Sequence, residues 1–352
     1  MPTRSLRRRK PRSIAERYGL SRKIGFFDVC WALALITSIA LVPVTAAIAA
    51  DEQRPPLVLE TTIPLEAVGG RIHHMAVDLD KQRLLVAELG NNTVDVIDLK
   101  TQRAIHRIKG LHEPQGVANT AGVVVVANGD DGSVAFFRAD DFAPMGSTNL
   151  GEDADNIRVD APTGQVRGLR TRRACHHFRS KIADIPLAAH PEGFQLTRDG
   201  SRIFINVPDA NQIAVVAAGR QIASWSVPHL RSNFALALDA SETTIAVVFR
   251  SPPRLVLLDA QSGAIRANVE TCGDADDVFF DAVHTRIYVS CGAGVVDVFD
   301  QSQGEPRRIA RLATSPGART ALFVPELDRL FVAARSAWLG GGAKILVYRV
   351  EP

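Results

Sequence analysis

The sequence predicts an all-β fold, a seven-bladed β-propeller of four-stranded blades, on three observations. A β-rich segment returns seven times, the step between copies is nearly constant, and each end of the repeating region holds part of a copy that only the other end completes. Clear copies are "HHMAVDLDKQRLLVAELGNNTVDVIDLKTQ" from His73, "FQLTRDGSRIFINVPDANQIAVVAAGRQ" from Phe194, "LALDASETTIAVVFRSPPRLVLLDAQSG" from Leu236, "VFFDAVHTRIYVSCGAGVVDVFDQSQG" from Val278 and the stretch from Ala321. Weaker copies start at Gln115 and Asp155. Each clear copy reads as a short apolar strand, a polar turn, a β-branched strand, a Gly/Asn/Asp turn and a third, alternating strand; the tract before the next copy, such as "AIHRIKG" or "IASWSV", supplies a fourth. Anchored on Asp78, Asn119, Asp160, Thr197, Asp239, Asp281 and Val324, the copies recur every 37–43 residues, the length of a propeller blade. A β-sandwich would not hold that period.

The leader comes first in the chain. Residues 1–50 carry nine Lys/Arg against Glu16 and Asp28, a charge of +7; the whole chain is +3, so the remainder is −4. That sign excludes a general nucleic-acid binder. A basic tract, the apolar run "VCWALALITSIALVPV" and the A-x-A pattern at residues 47–49 predict a signal peptide, cleaved near Ala49 or Ala50. The expected product is a monomeric domain of residues 51–352, periplasmic or secreted. The alternative is an uncleaved inner-membrane anchor through residues 24–50, which the long basic region and Pro43 favour.

The domain opens with "PLVLETTIPL" at residues 56–65, which has nothing to pair with, and the last copy ends at "ILVYRVEP" without a fourth strand. Joining the two closes the ring and leaves no open edge between the ends. With 46% hydrophobic residues over 352, the chain can bury a large core.

The third copy departs from the pattern. After "RVDAPTGQV" a β-branched strand, a glycine turn and an apolar strand are due, but "RGLRTRRACHHFRS" stands there, and the regular pattern resumes at "KIADIPL". The step from Asp160 to Thr197 is the shortest of all, so the segment replaces strands and is not an insertion. Leu169 to Phe178 can be encoded so that a one-base shift reads "YGRGALAII", which restores the glycine turn and apolar strand of the sixth copy. A pair of compensating frameshifts spanning 167–179 is therefore expected, and with it the loss of the third blade's middle strands. On this reading Cys175, His176 and His177 are no zinc site: adjacent histidines in a strand face opposite sides.

In a propeller the innermost strand of each blade starts near the central channel, so the residues that open each copy crowd one mouth. Here they include His73, His74, Gln115, Asp155, Asn156, Glu192, Asn233, Asp276, Asp277 and Arg319. They read either as a ligand site or as caps on exposed strand ends. Asp155, Glu192 and Asp276 could supply hard oxygen ligands to Ca²⁺ or Mg²⁺; no other cofactor is evident. The sequence has no P-loop, no G-x-S-x-G, no H-E-x-x-H and no dinucleotide fingerprint, and no catalytic residue is assigned. "GLHEPQG" reads as a turn and "WLGGGAK", residues 338–344, as a flexible loop. Cys272 lies just before the first strand of the sixth copy and Cys291 ends its second; a hairpin brings those ends together, and a disulfide is expected.

"NNTVDVIDLKT", "GSRIFINVPDANQIAVV" and "TRIYVSCGAGVVDVFD" resemble the repeats of bacterial extracytoplasmic YVTN-type β-propellers, a group similar in fold to the amine dehydrogenase heavy chain. The resemblance covers nearly all of residues 56–352, although no copy spells YVTN literally. It implies a binding protein more than an enzyme, since the quinone cofactor of amine dehydrogenase belongs to the other subunit. The expected role is a binding scaffold for a small molecule or a periplasmic protein. The alternatives are a divalent-metal-dependent hydrolase of the lactonase type and an accessory subunit of a periplasmic redox enzyme.

Overall fold

The computed structural model describes residues 54–352, apart from 152, 161–164, 171–172, 177–183 and 337–340. The leader and most of the "WLGGGAK" glycine loop therefore lie outside the described residues. Among the described residues no helix is long and apolar enough to cross a membrane.

Among the described residues the strands form seven antiparallel four-stranded sheets, and the fold is an all-β propeller with these sheets as blades. Blades are numbered here in chain order. Their innermost strands are Met75–Asp78, Pro114–Thr120, Ile157–Asp160, Phe194–Leu196, Arg231–Leu238, Ala275–Asp281 and Ala321–Val324. Each packs against the innermost strand of the next blade, and the last packs against the first, so the ring is closed around a channel. The seventh blade is completed as expected: Leu57–Pro64 pairs antiparallel with Lys344–Val350, from Leu57 opposite Val350 to Pro64 opposite Lys344.

Blade faces follow from side-chain alternation. In Arg83–Glu88 the side chains of Leu84 and Val86 join a cluster with Phe331 and Ile345 of the seventh blade, while Leu85 and Ala87 join one with Val117, Val124 and Val126 of the second. Both faces of a middle strand are thus buried, which is why these strands read as continuous β-branched runs and not as half-polar ones. The same division recurs around the ring, with one apolar cluster between each adjacent pair of blades.

Turns and close approaches explain the other sequence signals. "GNN" and "DAN" end one-turn 3-10 segments, Leu89–Asn91 and Pro208–Ala210, and place Asn92 and Asn211 in the left-handed region that asparagine tolerates. Gly116 and Gly193, in "PQG" and "PEG" at the starts of the second and fourth blades, have no room for a Cβ. It would lie 2.6 Å from the carbonyl oxygen of Asp155 and 2.5 Å from that of Phe234, both in the tract that opens the next blade.

The expectation for the third blade is corrected. Gln165–Arg170 and Arg173–His176 are strands and pair between Ile157–Asp160 and Asp184–Pro186, from Arg167 opposite His176 to Arg170 opposite Arg173. Backbone hydrogen bonding does not depend on side-chain identity, and regular strands on either side offer a ladder to both edges. His177 and residues 178–179 lie outside the described residues.

Cys272 and Cys291 are disulfide-bonded, with Cα atoms 6.0 Å apart and both residues buried in the cluster between the fifth and sixth blades.

Candidate functional site

In each blade the start of the first strand lies beside the end of the second, so the mouth of the channel is furnished from both. Arg71 to His74 lead into Met75–Asp78. His73 donates its amide to the Ala87 carbonyl at 2.7 Å and Ala87 donates back to His74 at 3.1 Å, while the His74 amide reaches the Gln115 carbonyl of the second blade at 3.2 Å. The two imidazoles meet edge to face with centroids 4.7 Å apart. Burial holds His73 down at about 4, against the opposing pull of Asp276. His74 is held well below its ordinary value by burial first, then by the charges of His73, Arg158 and Arg71. Both shifts favour the neutral ring.

A second set comes from the openings of the third and fourth blades. His190 points Nδ1 at Asp153 Oδ2, 3.4 Å away, and Nε2 at two carboxylates, 4.0 Å from Asp155 Oδ2 and 4.0 Å from Glu192 Oε1. Gln115 Nε2 donates to Asp153 Oδ1 at 3.1 Å. Asp155 is only 4% exposed, and its Oδ1 has no hydrogen-bond partner. Burial first, then the charges of Asp153 and Asp276, push Asp155 up to about 7. Burial, Asp155 and Asp276 push Glu192 up to about 8. Two trios, His73–His74–Asp155 and Asp155–His190–Glu192, each bring ligand atoms within 4.8 Å of one another and share Asp155.

The openings of the fifth, sixth and seventh blades are built differently. Asp276 binds Arg250 Nη2 at 2.5 Å and Arg319 Nε at 3.2 Å; Asp274 takes Arg319 Nη1 at 2.9 and 3.0 Å. The Arg250 guanidinium lies 3.6 Å from the centre of the Phe234 ring. These charges compensate one another. Asp277 accepts the Ala321 amide at 2.8 Å, and burial ahead of the Asp276 charge pushes it up to about 7. Asn156 accepts a hydrogen bond from Arg158, whose guanidinium is 5.5 Å from the centre of the Phe194 ring.

The structure thus brings together His73, His74, Asp155 and Glu192, with Gln115 behind them. It places Asp276 and Arg319 in the arginine-carboxylate half. Asn233 is corrected: it is fully buried between blades, its Nδ2 donating to Asn206 Oδ1 at 2.8 Å and to the Gln212 carbonyl at 2.9 Å. Asp153, His190, Arg158 and Arg250 were not foreseen. Asp153 and His190 each lie two residues before a foreseen position, in "DAD" and "HPE", and Arg250 is the next-to-last residue of a second strand, Thr244–Ser251.

No family model matches the chain, and no curated protein matches it. Among solved structures it is similar to Kuenenia stuttgartiensis hydrazine synthase, with 13% identity over 83% of this chain and 99% of the other and a TM-score of 0.70. It is similar to a chain of the mitotic checkpoint complex, with 12% identity, 91% and 99% covered and a TM-score of 0.73. The β-propeller domain of Myceliophthora thermophila Cps50 (Swd1) is also similar, with 11% identity, 84% and 100% covered and a TM-score of 0.68. These likenesses define the class: a β-propeller with WD40-like structural neighbours. At such identities they carry the fold alone.

Proposed function

We propose that this chain is an extracytoplasmic seven-bladed propeller of the YVTN-like kind that acts as a binding scaffold, taking a small ligand or the tip of a periplasmic partner at its channel mouth. One observation carries the reading: imidazoles and carboxylates from the openings of the first, third and fourth blades converge on Asp155, whose buried charge lacks an arginine or lysine partner within ion-pair reach among the described residues. Sites of closed β architectures sit at such mouths. The leader and the Cys272–Cys291 bond support an oxidising compartment.

Thermal-shift measurements on the wild type and on Asp155→Asn/Glu192→Gln/Asp276→Asn test it. The probes are CaCl₂, MgCl₂, ZnCl₂, spermidine and choline. A probe should raise the melting temperature of the wild type and lose that effect in the triple variant. If no probe acts, or if all act equally on both proteins, the working surface is elsewhere on the propeller.

A metal-dependent hydrolase of the lactonase type is the second reading. It is favoured by His190, which is backed by Asp153 and faces two carboxylates, an arrangement able to hold an ion and leave positions for water. Metal-dependent opening of simple lactones by the purified chain would distinguish it from the scaffold. The role of accessory subunit to a redox enzyme rests on the repeat resemblance alone.

A further inference from the structure

We propose that Asp155, His190 and Glu192 form a site for one zinc-class divalent ion; this rests on the mouth being the ligand site and names what it binds. Three observations lead there.

The first is the direction of His190. Its Nδ1 is 3.4 Å from Asp153 Oδ2, and Asp153 is itself held by Gln115. Metal-binding histidines have one ring nitrogen turned to a carboxylate so that the other presents its lone pair to the ion, and Asp153 stands on that side of His190, a small movement from a hydrogen bond. The presented atom, Nε2, stands 4.0 Å from both remaining carboxylates. Donors about 2.0–2.2 Å from a shared ion lie about 3–4 Å from one another, so closing on an ion asks for small side-chain movements only.

The second is the unpaired buried acceptor. Asp155 Oδ1 is buried and without a hydrogen bond, and a dication would balance the two carboxylates of Asp155 and Glu192. His190 and Glu192 keep 28% and 30% of their side chains exposed, which leaves a path from solvent.

The third is donor type. Calcium takes six to eight oxygens and magnesium keeps most of its waters. Two carboxylates with one imidazole, and with the imidazoles of His73 and His74 on the other side of Asp155, suit a borderline ion such as Zn²⁺. The proposed set is mixed, where the sequence suggested oxygen ligands from Asp155, Glu192 and Asp276.

The test is calorimetric titration of the untagged, chelator-treated chain with ZnCl₂, CaCl₂ and MgCl₂, with the visible spectrum of the Co²⁺ form as a second readout. Zn²⁺ should bind one to one and more tightly than Ca²⁺ or Mg²⁺. Asp155→Asn and His190→Ala should abolish binding or weaken it severely, and Asp153→Asn should weaken it about 10–100-fold while leaving a cobalt spectrum, as expected of an orienting carboxylate. Circular dichroism of each variant checks that the ring still folds. The proposal is overturned if His190→Ala binds Zn²⁺ like the wild type, if only His73 and His74 variants lose it, or if Ca²⁺ binds more tightly. Should no ion bind while an organic probe still stabilises the wild type and not the triple variant, the zinc site fails and the mouth survives. Should no probe act, both fail.

Discussion

Arg107 closes on Asp95 across the two outer strands of the first blade, its Nε 2.5 Å from Oδ1 and its Nη2 2.6 Å from Oδ2. Asp95 has no exposed surface. The sixth blade repeats the device with Arg311 and Asp297, at 2.6 and 2.8 Å, which accounts for "VDVID" and "VDVFD" carrying an aspartate inside apolar strands. A paired fork satisfies the carboxylate, and removing the fork strands a buried charge. Arg107→Ala should therefore cost about 3 kcal/mol in urea unfolding. Arg107→Lys should recover only part, since an ammonium cannot make two parallel bonds. A loss under about 1 kcal/mol for the alanine variant would mean that water replaces the fork.

Glu88 lies beside this pair, fully buried, accepting a hydrogen bond from Thr93 Oγ1 at 2.5 Å, with Arg107 3.9 Å away. Burial, with the charge of Asp95, pushes it up to about 8 from an ordinary 4.5. The folded state thus holds its proton where the unfolded chain has lost it. Its contribution to stability is whole below pH 4.5 and is lost as the pH rises through 8. Glu88→Gln should flatten the fall in stability between pH 5 and 8, as read from denaturant midpoints. An unchanged slope would place the titration elsewhere.

The Cys272–Cys291 bond closes a loop with a sequence separation of 19. In the chain-entropy model such a loop is worth about 3 kcal/mol, and the Cys272→Ser/Cys291→Ser variant should be less stable by about that amount. Thiol titration of the unfolded, unreduced protein should find neither cysteine free. Detecting both would show the pair reduced in the mature protein.

The third blade offers a nucleotide-level check. Its strands pair, yet "RGLRTRRACHHFRS" still departs from every other copy. Resequencing the gene should reveal an inserted or missing base near each end of 167–179, or close relatives should read "YGRGALAII" there. An intact frame in all of them would make the arginine-rich strand a feature of this propeller.

The leader predicts its own end point. Mass spectrometry of the exported protein should place the N-terminus near Ala50 or Asp51. A full-length, membrane-retained chain would instead support an anchor through residues 24–50.

Much of the architecture was legible because blade faces depend on alternation and turns on a few residue types. "LLVAE" with "TVDVID" announced a strand buried on both sides, and "GNN" announced its turn. The mouth was legible only in part. Position along the chain told that Asp155 and Glu192 open their blades, but not that His190 turns between them, since that depends on Asp153 and Gln115 from two other tracts. Position along the chain also could not show that the Asn233 amide is taken up by Asn206 and the Gln212 carbonyl. Asp276 reads as a free ligand until Arg250, 26 positions away in sequence, is placed beside it.

The pairing of Leu57–Pro64 with Lys344–Val350 also sets a timetable. Leu57–Pro64 is made first and must wait, unpartnered, until Lys344–Val350 has followed, so no length of chain that stops short of that strand can lock its circle. Glu351 donates its amide to the Pro56 carbonyl at 3.0 Å, so the two ends of the circle meet. A short covalent link there, with new ends opened between any other two blades, should yield a permuted chain with the same mouth and a different last step of assembly.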